Sequence, residues 1–417
     1  MTLTPLLKQK ALETGFDLAG IAPLGVWEDL NYARKWVEQG FGGEMSYLEN
    51  PKRHDPRLVL PSAKSVLCVG LIYNAPLPYS TEAASVPAPE GTKPLAGPSG
   101  KEPFPRAWIS RYAWGKDYHD VMRARLEKLR AAIENLAPGV ETRVYVDTGP
   151  VVERAFARHS GIGWTGKNTC LINPAKGSWF FLGVILTSLE IEPDLPAPDR
   201  CGSCTRCLDA CPTGALTQPY VMDASRCIAY LNIELKGTIP EKYREQIGAN
   251  LYGCDICQDV CPWNRSRQSA TSSQSSAASR QDARKGLGRP GAATTTQVEF
   301  QPIEIALPIS THKGDGESKS ETEPSPARHL SLFNPPLDML AEVSEEDFRR
   351  AFAQSPIKRP KYRGWLRNLC VVMGNSSDRR FIPKLEELSR HGDPIIREHA
   401  EWALARLTVG GVEAKDE

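Results

Sequence analysis

The sequence predicts a mixed α/β (α+β) core, a compact cysteine-rich module and an all-helical C-terminal end, and three observations predict it. From Met1 to about Pro198, apolar strand-like runs alternate with helical segments, the pattern of a layered α/β structure. Eight of the eleven cysteines fall between Cys201 and Cys261. Glu345 to Leu407 then carries helical signatures in quick succession.

Met1 to Ala22 holds Lys8, Lys10, Glu13 and Asp17 among its apolar residues, which reads as an amphipathic first helix and not as a signal-peptide core. Val66 to Tyr73, Thr142 to Val146 and Phe180 to Thr187 are the strand candidates, and Lys116 to Asn135 has helical periodicity between the first two. Pro76 to Pro105, rich in Pro, Gly and Ser, reads as a loop. So does Arg265 to Arg328, where S-A-T-S-S-Q-S-S-A-A-S offers too few large apolar residues to offset the entropy of ordering. The C-terminal runs E-E-D-F-R-R-A-F, R-G-W-L-R-N-L-C-V-V-M-G-N, F-I-P-K-L-E-E-L and P-I-I-R-E-H-A-E-W-A-L-A-R-L form two helix pairs that resemble HEAT-type repeats. Two pairs are too few for a free solenoid, so they are expected to pack on the main body. The expected domains are 1–198, 199–264, a disordered insertion 265–328, and 329–417.

With 51 Lys+Arg against 50 Asp+Glu, the chain has no global field directed at nucleic acid or at a membrane. Its longest purely apolar stretch, Trp179 to Leu186, falls far short of the ~20 residues of a membrane span. The chain reads as cytoplasmic and free of membrane. Cysteines in such a chain point to metal or redox work, because the cytosol keeps thiols reduced.

Their spacing carries the chemistry. Cys201, Cys204, Cys207 and Cys211-Pro212 form C-x2-C-x2-C-x3-C-P, the run that ligates a [4Fe–4S] cluster with three thiolates and sends the fourth to a second cluster. A second run, Cys254, Cys257 and Cys261-Pro262, has Leu251 where its first cysteine is expected, and Cys227 is the natural replacement. Ferredoxin logic then gives Cys201, Cys204, Cys207 and Cys261 to one cluster, and Cys211, Cys227, Cys254 and Cys257 to the other. Structural zinc is the alternative, but it leaves the two C-x3-C-P endings unexplained. Cys68, Cys170 and Cys370 sit among apolar residues and read as core cysteines.

Asp147, in V-Y-V-D-T-G-P-V-V-E-R, lies where a strand ends, the edge at which open α/β sheets bind ligands, or else it caps the following helix. Glu153 and Arg154, one turn on, could pair with each other or face a ligand. Gly161 to Asn168 comes within one residue of a phosphate-binding loop, but Asn168 replaces the magnesium-binding hydroxyl and a helix precedes it, so nucleotide binding is excluded. Lys167 is left to contact a phosphate-bearing cofactor. Asp117-Tyr118-His119 approaches D-x-H-x-x-G, but Met122 replaces the glycine; axial ligation by His119 is unsupported, and it reads as a polar residue opening a helix. From Pro356 to Gly411 eleven basic residues face six acidic ones, with Tyr362 and Trp365 interleaved as stacking rings; solubility or nucleic-acid binding would each account for this patch.

Together these pieces resemble the epoxyqueuosine reductases over most of the chain. The resemblance rests on R-Y-A-W-G-K-D-Y-H (Arg111 to His119), V-D-T-G-P-V-V-E-R (Val146 to Arg154), G-W-T-G-K-N-T (Gly163 to Thr169), the eight cysteines and the helical end. It implies a core that binds cobalamin beside two [4Fe–4S] clusters, which pass electrons to it. The substrate would be epoxyqueuosine at the tRNA wobble position, reduced to queuosine in the last step of making that base. Asp147 is implied as proton donor. Arg57, Ser110, Asp147, Asn168, Thr169, Leu171, Ala229 and Tyr230 are implied as corrin contacts, and Lys236, Lys358, Arg359, Lys361, Arg363 and Arg367 as tRNA contacts. An external donor such as flavodoxin, ferredoxin or its reductase would supply electrons to a monomer. A reductive dehalogenase shares the clusters and cofactor, but the basic C-terminal end and the absence of a twin-arginine signal count against it. A ferredoxin-type electron-transfer subunit would need no V-D-T-G-P acid.

Overall fold

Ser65–Ile72 is buried at all eight positions, which is why it reads as an unbroken apolar run: a strand covered on both faces has no solvent side to alternate toward. The computed structural model describes residues 3–83, 104–265, 291–308 and 327–409. Its strands are β1 (Leu18–Pro23), β2 (Ser65–Ile72), β3 (Trp108–Ile109), β4 (Thr142–Tyr145), β5 (Trp164–Thr165), β6 (Leu171–Ile172), β7 (Phe180–Thr187), β8 (Leu216–Gln218), β9 (Val221–Met222), β10 (Asn250–Tyr252), β11 (Glu304–Pro308) and β12 (Ala327–Ser331). The described residues gather into two compact units whose segments interleave along the chain. The first takes Met1–Thr81, Asp117–Cys227 and Asp255–Gln301, the second Glu82–Lys116, Ile228–Cys254 and Pro302–Glu417. The consecutive blocks expected from sequence do not describe this arrangement.

In the first unit a four-stranded sheet runs β1-β2-β7-β4, antiparallel at every pairing. The Tyr118–Leu136 helix buries Met122, Leu126, Leu129 and Ile133, a single stripe at helical spacing. Leu126 and Met122 of that stripe close over Gly183 on β7. Val66, Cys68, Ile72, Val184 and Leu186 pack with Val26, Leu30, Ala155 and Phe156. Each such fully buried aliphatic or aromatic side chain contributes about 1.5–3 kcal/mol.

One expectation fails here. The first helix covers only Leu3–Glu13. Gly15 turns the chain at φ 91° and Leu18–Pro23 becomes β1, paired with β2 from Leu18↔Gly70 to Pro23↔Ser65. A β-carbon on Gly20 would lie 2.0 Å from the Ser160 carbonyl, so glycine there lets the end of the Glu153–His159 helix approach β1.

In the second unit β3 pairs in parallel with β10, and β11 with β12 in antiparallel. The four helical runs expected near the C-terminus form helices at Glu345–Ala351, Lys361–Asn375, Ile382–Leu388 and Pro394–Val409. Lys361–Asn375 is buried continuously from Gly364 to Gly374, and an all-round buried helix must satisfy its own polar groups. It does. Arg367 donates to the carbonyls of Leu231, Leu235 and Gly237, and Asn368 to those of Asn232 and Leu251. Asn375 donates to the carbonyls of Arg244 and Gly248. The helix thereby fixes the 228–254 segment, which ends in Cys254.

The expected insertion is also corrected in part. Thr295 and Phe300 are buried, and Ile305 is buried in β11, so 291–308 belongs to the fold. Its V-E-F and E-I-A-L supply the apolar residues that the serine-rich run lacks. Residues 266–290 and 309–326 lie outside the described residues. Among the described residues no helix is long and apolar enough to cross a membrane.

Candidate functional site

Asp147 follows β4 in a tight turn, with the Thr148 amide donating to the Val146 carbonyl at 2.5 Å. Its φ of 51° is left-handed, a conformation that aspartate tolerates better than most residues. Gly149 completes the turn, since a β-carbon there would fall 2.2 Å from the Tyr145 ring. Because the sheet is antiparallel, the rule that ligands gather at the carboxyl edge of parallel strands does not place Asp147; the turn does. Nor is Asp147 a helix cap, because the cap of Glu153–His159 is Val152.

The Tyr118 hydroxyl donates to Asp147 Oδ2 at 2.5 Å. Tyr118 is held by stacking on Phe181 of β7, with centroids 4.2 Å apart and planes 4° from parallel. His119 bonds through Nδ1 to Asp117 Oδ1 at 2.7 Å, and its Nε2 lies 3.5 Å from Asp147 Oδ2. Burial works against a charged imidazole, but the Asp117 and Asp147 carboxylates outweigh it and raise His119 to about 9. His119 therefore carries a proton at neutral pH. It does open the helix, as expected, yet it also serves the Asp147 turn. The Asp147 side chain is 62% exposed.

Glu153 and Arg154 do not pair with each other. Arg154 donates to the Thr169 carbonyl at 2.9 Å. Glu153 faces the Asp147 backbone; burial pushes its carboxyl up to about 7, and the Asp147 charge adds to the shift. The first turn of one short helix thus ties down two loops, the Asp147 turn and the loop of Asn168 and Thr169. In the latter, Asn168 is buried and donates to the Cys257 carbonyl at 3.2 Å, Thr169 is left-handed at φ 62°, and Leu171 is buried in β6. The Lys167 ammonium donates to the carbonyls of Gly202 (2.6 Å) and Cys204 (3.0 Å), bracing the first cysteine turn.

All eleven cysteines are free thiols. Cys201 packs with buried Cys261, Trp164 and Ile172. Burial and the neighbouring Cys204 and Cys201 push Cys207 up to about 11, and burial with Cys170, Cys201 and Cys207 pushes Cys261 up to about 12. Thiols crowded as Cys207 and Cys261 are, beside Cys201 and Cys204, fit a centre whose iron draws the charge. They are the four that ferredoxin logic assigns to one cluster. Asp199 accepts the Cys201 amide at 2.7 Å and the Tyr220 hydroxyl, outer contacts that orient the turn. Cys211, Cys227 and Cys257 lie in the first unit, while Cys254 ends a segment of the second. Among the described residues no three His, Cys, Asp or Glu side chains converge on a point that would hold a single metal ion. Cys68 and Cys370 are sealed core thiols. Cys170 is more than that, because its thiol bonds to Cys257 and is held below the usual range.

Of the other expected contacts in the first unit, Arg57 is exposed, paired with Asp55 at 2.8 Å and stacked 4.8 Å over Trp27. In the second unit Ser110 is buried, its amide donating to the Tyr252 carbonyl at 2.7 Å, and Ala229 and Tyr230 open the π-helical turn Tyr230–Glu234. Lys236, Lys358, Arg359, Lys361 and Arg363 are exposed. Burial, with crowding by Arg359, Arg367 and Lys361, outweighs Glu234 and holds the Lys236 ammonium below the usual lysine range. Arg359 is paired with Glu234, and Arg363 with Asp393. Arg367 is corrected: at 1% exposure and spent on three carbonyls it has no donor for RNA. The stacking role of Trp365 fails likewise, since it is fully buried, and the Tyr362 hydroxyl is turned to the Val343 carbonyl.

Residues 200–264 match the family of 4Fe-4S double cluster binding domains, and residues 53–148 match the family described as epoxyqueuosine reductase QueG, DUF1730. The epoxyqueuosine reductase of Pseudomonas aeruginosa is 38% identical over 411 residues, covering 97% of this chain and 94% of that protein. An epoxyqueuosine reductase solved with a tRNA-Tyr epoxyqueuosine-modified stem loop matches at a TM-score of 0.71 and 29% identity, over 97% of this chain and 89% of its own. The Bacillus subtilis enzyme, solved with its aspartate catalytic loop swung out of the active site, matches at 0.71 and 28%, over 97% and 90%.

Proposed function

The chain belongs to the epoxyqueuosine reductase family, and we propose that it reduces epoxyqueuosine in tRNA to queuosine with Asp147 as the acid. Removing the epoxide oxygen as water, with an alkene left behind, consumes two electrons and two protons. The double cluster domain provides for the electrons. Cobalamin, when bound, supplies the reducing chemistry that opens the ring. The residues of the first unit offered to it are Arg57, Asp147, Asn168, Thr169 and Leu171. The tight loop of Asn168 and Thr169 suits such a group, because it rests on Cys257, so a cofactor seated there would stand beside a cluster ligand.

The acid-bearing turn is the observation that carries the reading. An oxygen leaving carbon as an alkoxide needs a proton where it departs. Asp147 presents a carboxyl on an exposed turn, Tyr118 orients Oδ2, and His119, cationic at neutral pH, lies beside it. Exposure suits a turn that moves between open and closed positions, as the swung-out loop of the Bacillus subtilis relative does. HEAT-like pairing of the C-terminal helices, with Lys236, Lys358, Arg359, Lys361 and Arg363 facing RNA, completes the reading.

The test is anaerobic reconstitution with iron, sulfide and cobalamin, incubation with epoxyqueuosine-containing tRNA under a strong reductant, and mass spectrometry of the nucleosides. Queuosine should form only with cobalamin present. Asp147→Asn should retain cluster absorbance and cobalamin binding while losing at least ~100-fold in rate, the scale of general acid catalysis; near-normal turnover would remove Asp147 from the role.

A further inference from the structure

Lys167 stands at the tip of the hairpin formed by β5 and β6, and that hairpin is built against one cysteine turn. Trp164 of β5 and Ile172 of β6 pack with Cys201 and Cys261. The tip is closed by the Gly166 amide donating to the Cys170 carbonyl at 2.8 Å and the Thr169 amide donating to the Gly166 carbonyl at 2.8 Å. From this fixed tip the Lys167 ammonium donates to the carbonyls of Gly202 and Cys204, both inside the C-x2-C loop.

A second set of bonds ties the same loop. The Tyr220 amide donates to the Lys167 carbonyl at 3.1 Å, the Tyr220 hydroxyl donates to Asp199, and Asp199 accepts the Cys201 amide at 2.7 Å. Tyr220 holds a left-handed φ of 69°, a conformation kept where its surroundings over-determine it. Lys167 and Asp199 thus hold the Cys201–Cys204 loop with side chains of opposite charge. Arg200 and Arg206 flank the loop as well, but both are exposed, where water and salt screen them; Lys167 is half-buried and held by two bonds.

We propose that Lys167 sets the reduction potential of the cluster assigned to Cys201, Cys204, Cys207 and Cys261, raising it through a positive charge fixed against the loop of two of its ligands. The inference rests on that assignment of cysteines and not on the epoxide chemistry. An iron–sulfur centre held by four thiolates is anionic, and the single electron it accepts adds one more negative charge. A cation beside it therefore favours the reduced form, and a carboxylate the oxidised form. The ammonium also offsets the negative ends of the two peptide dipoles that it binds, so the loop presents less negative charge to the centre. The chain thereby makes this cluster easier for a donor to reduce.

The test is a potentiometric titration of the reconstituted full chain, followed by electron paramagnetic resonance, without tRNA or cobalamin. Lys167→Met and Lys167→Gln, the second of which keeps an N–H donor for the carbonyls, should each disfavour reduction of one cluster about tenfold, a fall of about 59 mV in its midpoint, and leave the other midpoint in place. Lys167→Arg, which keeps the charge, should stay within twofold of the unmodified chain. Asp199→Asn, which keeps an oxygen for the Cys201 amide, should move the same midpoint upward. A brace without an electrostatic part would not give shifts of opposite sign. Unmoved midpoints in both neutral Lys167 variants, a shift of the same sign from Lys167→Met and Asp199→Asn, or loss of the cluster from both neutral variants would each overturn the inference. The midpoints are read without turnover, so a chain that makes no queuosine leaves this test intact.

Discussion

At the scale of single residues, the proposed acid Asp147 is an exposed carboxyl set beside a cationic imidazole. Giving up a proton at the reacting oxygen favours an acid with access to substrate, while a cationic neighbour steadies the carboxylate left behind. Asp147 has the access and His119 has the charge, with Asp117 fixing the imidazole through Nδ1. Tyr118→Phe removes a hydrogen bond to a carboxylate worth about 1.5–3 kcal/mol. It should therefore lower kcat by roughly 10-fold to 100-fold and leave KM for tRNA within twofold. Single-turnover kinetics would check this, and an unchanged kcat would reduce the phenol to a packing group. The tripeptide Asp117-Tyr118-His119 was visible in the sequence, but with axial ligation set aside it read only as a polar opening of a helix. Its service to Asp147 depends on β4 and the Tyr118–Leu136 helix meeting on one sheet, and that neighbourhood has no sequence signature.

At the scale of elements, the strands and helices that hold the core were the legible ones. β7 and the four C-terminal helical runs declare themselves through apolar period and length. β1 was hidden because L-A-G-I-A-P is as compatible with a helix end as with a strand until β2 is there to pair with. Arg367 was hidden for a related reason: in sequence it is one more basic residue on a basic helix, and only burial shows it to be a clamp on the 228–254 segment. Arg367→Met should leave three carbonyls of that segment unpaired, at about 1–3 kcal/mol each where they stay buried. Loosening a segment that ends in Cys254 should lower iron content after reconstitution toward a single cluster and leave the Cys201 turn intact. Iron and sulfide analysis would decide, and full occupancy would refute the clamp. The same unit carries a pH signature. His399 accepts the Ile239 amide at 3.1 Å, and burial, then Arg244, lowers it to about 4. A histidine depressed in the folded state stabilises the fold above its unfolded pKa of about 6.5 and loses that contribution as pH falls toward 4, a change of about 3 kcal/mol. Urea midpoints at pH 7 and 5 should separate accordingly, and His399→Gln should shrink the separation.

At the scale of the whole molecule, a chain with a net charge of only +1 must meet RNA through a local field. The totals could not show which charges are spent. Arg359 and Arg363 are neutralised by Glu234 and Asp393, and Arg367 is inside the protein. Lys236, Lys358 and Lys361 are the exposed ammonium groups of the same stretch, and Lys236 and Lys361 have features that favour an anion. Lys236 is exposed and crowded by like charges, a strain that an anion relieves. Lys361 is held at φ 61°, a conformation costly for lysine and retained where surrounding structure over-determines it. Each phosphate contact on single-stranded RNA contributes about 0.7 to the slope of log affinity against log salt. Neutralising both, as Lys236→Gln with Lys361→Gln, should therefore flatten the slope by about 1.4 and weaken binding of an anticodon stem loop roughly tenfold at low salt. Lys384→Gln, whose ammonium already pairs with Glu387, should bind within twofold of the unmodified chain. Fluorescence anisotropy titrations across a salt series would measure all three, and a double variant with an unchanged slope would place the RNA contacts on other residues.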